Sequence, residues 1–182
     1  MNRLFVALDM SPEAKDELLL LQKKLPRQLA KITWVAKKKF HLTLKFLGDA
    51  EDLQIPEIIE RLSKIDFKKF NLNLDKIGFF PDLRKGDLRV IWVSVAPEKD
   101  LIKLQLAVDE QLLDIFPSEQ KFQAHLTLGR VKAIKKPKEF TEEAGKIAVR
   151  PIIFEVAGFR LYNSRKVGGG QIYNVIKEFQ LS

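Results

Sequence analysis

Two tetrapeptides in this chain are identical, His41-Leu42-Thr43-Leu44 and His125-Leu126-Thr127-Leu128, and they hold its only two histidines. Histidine has an unperturbed pKa near ~6.5, so near neutral pH one imidazole can be protonated while another is neutral. Two such rings on opposite sides of a substrate form a general acid and a general base. Phosphoryl transfer needs that pair. One ring activates the attacking oxygen, and the other protonates the leaving oxygen. Threonine hydroxyls donate to non-bridging phosphate oxygens, and cations stabilise the charge that develops there. In a strand, alternate side chains share a face. Each motif therefore presents His and Thr together on one face and turns its two leucines towards a core.

Two cations stand next to these motifs. Lys45 shares the His41/Thr43 face by parity. Arg130 falls on the leucine side by strict alternation, but Gly129 before it permits a bulge that swings the guanidinium to the His/Thr face. A single histidine on a strand is more often a satisfied structural residue, and the duplication is what points to catalysis. A zinc site is the chief chemical alternative, yet the chain has no cysteine, no third histidine and no His-Glu-x-x-His pattern, so no metal and no cofactor is expected. No Gly-x-Ser-x-Gly elbow marks a serine nucleophile. Gly168-Gly169-Gly170 lies between two strand patterns and reads as a hairpin turn. Lys37-Lys38-Lys39 enters the first motif and can guide an anionic chain. Tyr173 and the Phe79/Phe80 pair are candidates for stacking on a base, against the commoner reading of such aromatics as core.

The elements that must position these residues follow from periodicity. Residues 3–9 alternate as a strand. Ser11 and Pro12 then supply a cap and a first-turn proline for a helix reaching about residue 26. A short strand is expected at 32–35, the first motif strand after it, and a helix at 55–65. Strand alternation begins at 70, a turn falls at 85–87, and an apolar strand covers 88–95. A helix over 98–116 precedes the second motif strand at 122–131, with a short helix at 140–148. Strands over 152–162 and 171–181 close the chain. The order predicts an α+β protein of two pseudo-symmetric lobes, each an antiparallel sheet with helices outside, around a central cleft. No linker divides the chain, so residues 1–182 read as one domain.

At 182 residues with 46% hydrophobic and 31% charged content, the composition is that of a globular protein. The net charge of +8 suits a polyanionic partner, nucleic acid being the commonest. No apolar run approaches the ~20 residues of a membrane helix. The apolar run at the N-terminus is too short for a signal peptide. The expected setting is the cytoplasm, with no membrane partner.

The motifs resemble those of the two-histidine (2H) phosphoesterases, and within them the LigT-like RNA 2′,3′-cyclic phosphodiesterases, also called 2′-5′ RNA ligases. Both copies fit the family's His-x-Thr/Ser-x pattern. The similarity extends through Arg3-Leu4-Phe5-Val6-Ala7-Leu8, Trp34, the run from His41 to Gly48, Phe79-Phe80-Pro81, Val90-Ile91-Trp92, Phe122, Ala124 and the run to Arg130. In the tail it includes Leu161, Ser164, Gly170, Tyr173 and Phe179. The resemblance implies metal-independent hydrolysis of a terminal 2′,3′-cyclic phosphate on RNA to a 2′-phosphomonoester. It makes His41 the proton donor to the 3′ oxygen and His125 the proton acceptor from water, with Thr43, Thr127 and Arg130 binding phosphate. The implied partner is RNA with cyclic phosphate ends, tRNA fragments among them, and a monomeric enzyme is expected. The alternatives are the reverse reaction, 2′-5′ ligation of tRNA halves, and a non-catalytic binder of RNA ends or nucleotides. A matched acid–base pair argues against the binder.

Overall fold

The structure is a computed structural model that describes residues 2–81, 88–118, 121–168 and 170–182. The turn expected at 85–87 lies outside the described residues. The chain runs β1 (Asn2–Leu8), α1 (Pro12–Lys24), β2 (Ala30–Trp34), β3 (Leu42–Ala50), α2 (Ile55–Leu62), β4 (Phe70–Phe80) and β5 (Val90–Ala96). It continues with α3 (Lys99–Gln111), β6 (Leu126–Ile134), α4 (Pro137–Gly145), β7 (Ile153–Val156), β8 (Gly158–Val167) and β9 (Gly170–Gln180).

The strands form a nine-stranded sheet in the order β7-β4-β5-β6-β3-β1-β8-β9, with β2 beside β6. All recorded pairings are antiparallel. The two motif strands meet at its centre through one pair, Leu42 opposite Leu126. From there the sheet divides into two lobes. One is built on β3, β1, β8 and β9, the other on β6, β5, β4 and β7. The 152–162 segment is therefore not one strand. It breaks at Ala157, and β7 pairs with β4 in one lobe while β8 pairs with β1 in the other. An alternating pattern continuous across 152–162 could not show that the chain changes lobes within it.

Helix formation follows the sequence signals. Ser11 Oγ accepts from the Ala14 N–H at 3.2 Å, Pro12 occupies the first turn, and α1 stops at Leu25 before Pro26. The helix buries Ala14, Leu18 and Leu21, and α3 buries Leu101, Leu104 and Val108. Together with Leu42, Leu44, Leu126 and Leu128 these residues belong to the principal core on the helix-bearing side of the sheet. Each buried leucine or valine among them contributes roughly 1.5–3 kcal/mol. The opposite side carries a separate small cluster, Phe5, Ala7 and Tyr162 with Tyr173 against it. That nearly helix-free side is the cleft.

The supporting helices are exchanged between the halves of the chain. Helix α1, from the first half, packs against β6, whereas α3, from the second half, packs against β3. Strands are exchanged too: β4 from the first half lies in the β6 lobe, and β8 from the second lies in the β3 lobe. Among the described residues no helix is long and apolar enough to cross a membrane.

Candidate active site

The Leu42–Leu126 pair fixes how the motifs face each other. In the antiparallel register through that pair, His41 lies beside Thr127 and Thr43 beside His125. The two histidines and two threonines thus form a two-fold related quartet on the cleft side, all half-buried. The leucines between them are fully buried on the other side.

Both rings are held in the same way. The Nδ1–H of His41 donates to the Lys39 carbonyl at 2.7 Å, and that of His125 donates to the Gln123 carbonyl at 2.8 Å. A carbonyl can only accept, so Nδ1 carries a proton in each ring and Nε2 is left for proton exchange. Aromatic walls complete the positioning. His41 packs 5.0 Å from Phe5 and edge-on to Tyr173 at 5.2 Å. His125 packs edge-on to Phe80 at 5.1 Å, and Phe80 in turn stacks on Trp92 at 4.8 Å. Trp92 fits there because residue 78 is glycine: a Cβ would come within 2.3 Å of the indole.

Burial depresses the pKa of both imidazoles, since a half-buried charge loses hydration. The carbonyl acceptors oppose this by favouring the charged ring. His125 further lowers His41, and Arg130 lowers both. Asp9 raises His41, and among the described residues the groups acting on His125 include no carboxylate. Mutual repulsion between the rings favours a state holding one proton between them.

Beyond each threonine both strands bulge at the same motif position. On β3, Thr43 faces Ala7 and Lys45 faces Val6, so Leu44 is the extra residue. On β6, Thr127 faces Trp92 and Gly129 faces Ile91, so Leu128 is extra. Each bulge reverses the alternation. The fifth residue after each histidine therefore returns to the cleft, and the fourth turns inward. Arg130 reaches the cleft by this route and acts electrostatically on His41, His125 and Tyr173. Gly129 is the inward residue, where a Cβ would meet Ile32 Cγ2 at 2.6 Å.

The same bulge overturns the parity reading of Lys45. This side chain is 1% exposed and points away from the cleft. Its Nζ pairs with Asp109 on α3 and donates to the Pro117 carbonyl at 2.6 Å. The first-motif counterpart of Arg130 is Phe46, 67% exposed and 6.3 Å from Phe5. Sequence reading missed it, although its offset from His41 equals that of Arg130 from His125. Of the proposed stacking residues, Tyr173 and Phe80 line the histidines, whereas Phe79 turns to Phe140 on α4. In the lysine cluster, Lys37 is paired with Asp16, and the backbone of Lys39 anchors His41.

One buried side chain holds the second bulge. Gln22 on α1 donates to the carbonyls of Leu128 and Val35, each at 2.8 Å. The Val35 N–H also donates to the Leu128 carbonyl, at 3.0 Å. Among the described residues no three acidic or imidazole side chains gather as a metal-ligand group.

A two-lobed sheet with one His-x-Thr strand per lobe defines the two-histidine phosphoesterases, and the family model for LigT-like phosphoesterases matches residues 8–92 and 93–173. This chain belongs to that family. It is 33% identical to an RNA 2′,3′-cyclic phosphodiesterase of Archaeoglobus fulgidus over 98% of this chain and 99% of that protein. It is 34% identical to one of Thermotoga maritima over 98% and 95%. The crystal structure of E. coli LigT in apo form superposes with a TM-score of 0.79 at 26% identity, covering 100% of this chain and 98% of that one. LigT has also been crystallised with 3′-AMP, and that structure gives a TM-score of 0.75.

Proposed function

We propose that this protein hydrolyses the 2′,3′-cyclic phosphate at the end of an RNA to a 2′-phosphomonoester without a metal, the whole chain 1–182 acting as one two-lobed unit. The observation that carries this reading is the pair of imidazoles. Each has Nδ1 committed to a backbone carbonyl, and they come from two strands that meet between them. Water attacks phosphorus, and neutral His125 takes its proton through Nε2. The bond from phosphorus to the 3′ oxygen breaks, and protonated His41 delivers its Nε2 proton to that oxygen. Thr43, Thr127 and Arg130 hold the non-bridging oxygens and stabilise the charge on them. Phe46, exposed beside Phe5, offers a face on which the terminal base stacks. Relatives named RNA 2′,3′-cyclic phosphodiesterase support the substrate class.

The test is incubation with a nucleoside 2′,3′-cyclic phosphate in EDTA, with products resolved by phosphorus NMR against authentic standards. A 2′-nucleotide is expected at an undiminished rate. A dominant 3′-phosphate would exchange the roles of His41 and His125, and rates restored only by a divalent ion would remove the metal-free mechanism. The same proposal takes tRNA fragments as substrates of a monomeric enzyme in the cytoplasm. Light scattering of the pure protein and profiling of RNA ends in a deletion strain test those parts.

A further inference from the structure

Outside the quartet, one basic surface continues the cleft. Past the Leu128 bulge, β6 runs beside β2, with Thr33 opposite Arg130 and Lys31 opposite Ala133. A second register shift leaves Lys132 as the extra residue between them. Ala30, Ile32, Trp34, Val131 and Ile134 pack on the core, which leaves Lys31 on the side of Arg130. At a bulge the extra residue and its neighbour lean to one side, so Lys132 joins them. Arg130, Lys132 and Lys31 are all exposed. Neither strand, Ala-Lys-Ile-Thr-Trp or Leu-Thr-Leu-Gly-Arg-Val-Lys-Ala-Ile, contains an acidic residue. Among the described residues, neither Lys31 nor Lys132 has a charged partner. In the other lobe, Arg3 on β1 stands opposite the acidic Asp49 on β3. A polyanion meets continuous positive charge along β2 and β6.

We propose that Lys31 and Lys132 form a second phosphate subsite, which takes the phosphodiester one nucleotide upstream of the cyclic end. The subsite rests on the cyclic phosphate lying between His41 and His125. Arg130 then holds the reacting phosphate. Lys132 stands two residues further along the strand, roughly 6–7 Å away, within reach of the next phosphate. Such contacts add affinity for a chain without reading its sequence, so the enzyme discriminates by length, favouring an oligonucleotide end over a free cyclic nucleotide.

The experiment compares kcat/KM for uridine 2′,3′-cyclic phosphate, which has no upstream phosphate, with that for the uridine dinucleotide carrying the same cyclic end. The ratio of dinucleotide to mononucleotide is expected to exceed one at low salt. It falls about three- to thirtyfold in the double variant Lys31→Gln/Lys132→Gln, as two exposed charge contacts are lost. The charge-matched double variant Lys64→Gln/Lys68→Gln, in exposed positions at and beyond the end of α2, keeps the wild-type ratio. A wild-type ratio near one, an unchanged ratio in the first variant, or an equal fall in the second overturns the subsite. Absence of turnover of both substrates by the wild type would instead overturn the phosphodiesterase reading itself.

Discussion

An imidazole can exchange a proton at only one nitrogen once the other is committed, and both histidines here are committed at Nδ1. Replacing either with alanine removes one proton-transfer partner, worth roughly 10²–10⁴-fold in turnover. His41→Ala and His125→Ala should both show that loss with little change in thermal midpoint, because each ring is half-buried against the cleft. Circular dichroism melts beside initial rates check the pair of expectations. The two rings also set the pH profile. Rate rises as His125 loses its proton and falls as His41 loses its own, giving a bell. Burial and Arg130 lower both titrations, so the kcat/KM bell of the free enzyme should be displaced to the acid side of the ordinary imidazole range. Arg130→Met removes one lowering charge from each ring. Both limbs should then move to higher pH while the maximum falls, and limbs that stay in place would separate Arg130 from the pair.

Elements place these residues through two bulges, each held by a buried polar group from a helix. Gln22 satisfies the Leu128 and Val35 carbonyls beneath the second bulge, and Asp109 holds Lys45 just past the first. Gln22→Leu leaves buried carbonyls short of a donor, at about 1–3 kcal/mol. The stability loss should be measurable in urea. Because the bulge turns Arg130 to the cleft, the costs in kcat/KM of Gln22→Leu and Arg130→Met should be less than additive in a double-mutant cycle. The bulges also mark the limit of what the sequence discloses. His41, Thr43, His125 and Thr127 were legible because a two-residue period holds as far as the second leucine of each motif. Gly129 hinted at the break that frees Arg130. Nothing at Leu44 announced the other, so Lys45 seemed to face the cleft and Phe46 went unnoticed. Likewise the division of residues 152–162 between lobes depends on partners remote in sequence, and local alternation holds no record of them.

At the scale of the whole molecule, the net charge of +8 has a direction, since strands β2 and β6 carry Lys31, Arg130 and Lys132 and no acidic residue, leading away from the histidines. The lobes are exchanged as well as paired: α1 supports β6, α3 supports β3, and β8 and β9 return to complete the sheet that β1 began. This arrangement governs how the chain must be made. While the N-terminal part is emerging from a ribosome, β1 has only one of its two neighbours, because Phe5 waits for Tyr162 and His41 for Tyr173. Contacts so distant in sequence close slowly and late, so the first motif is not set until the last two strands arrive. A chain stopped at residue 157 still contains both histidines, both threonines and Arg130. It should nevertheless lack slow-exchanging amides in β1 and hydrolyse nothing. Adding residues 158–182 as a separate peptide should restore protection and activity together.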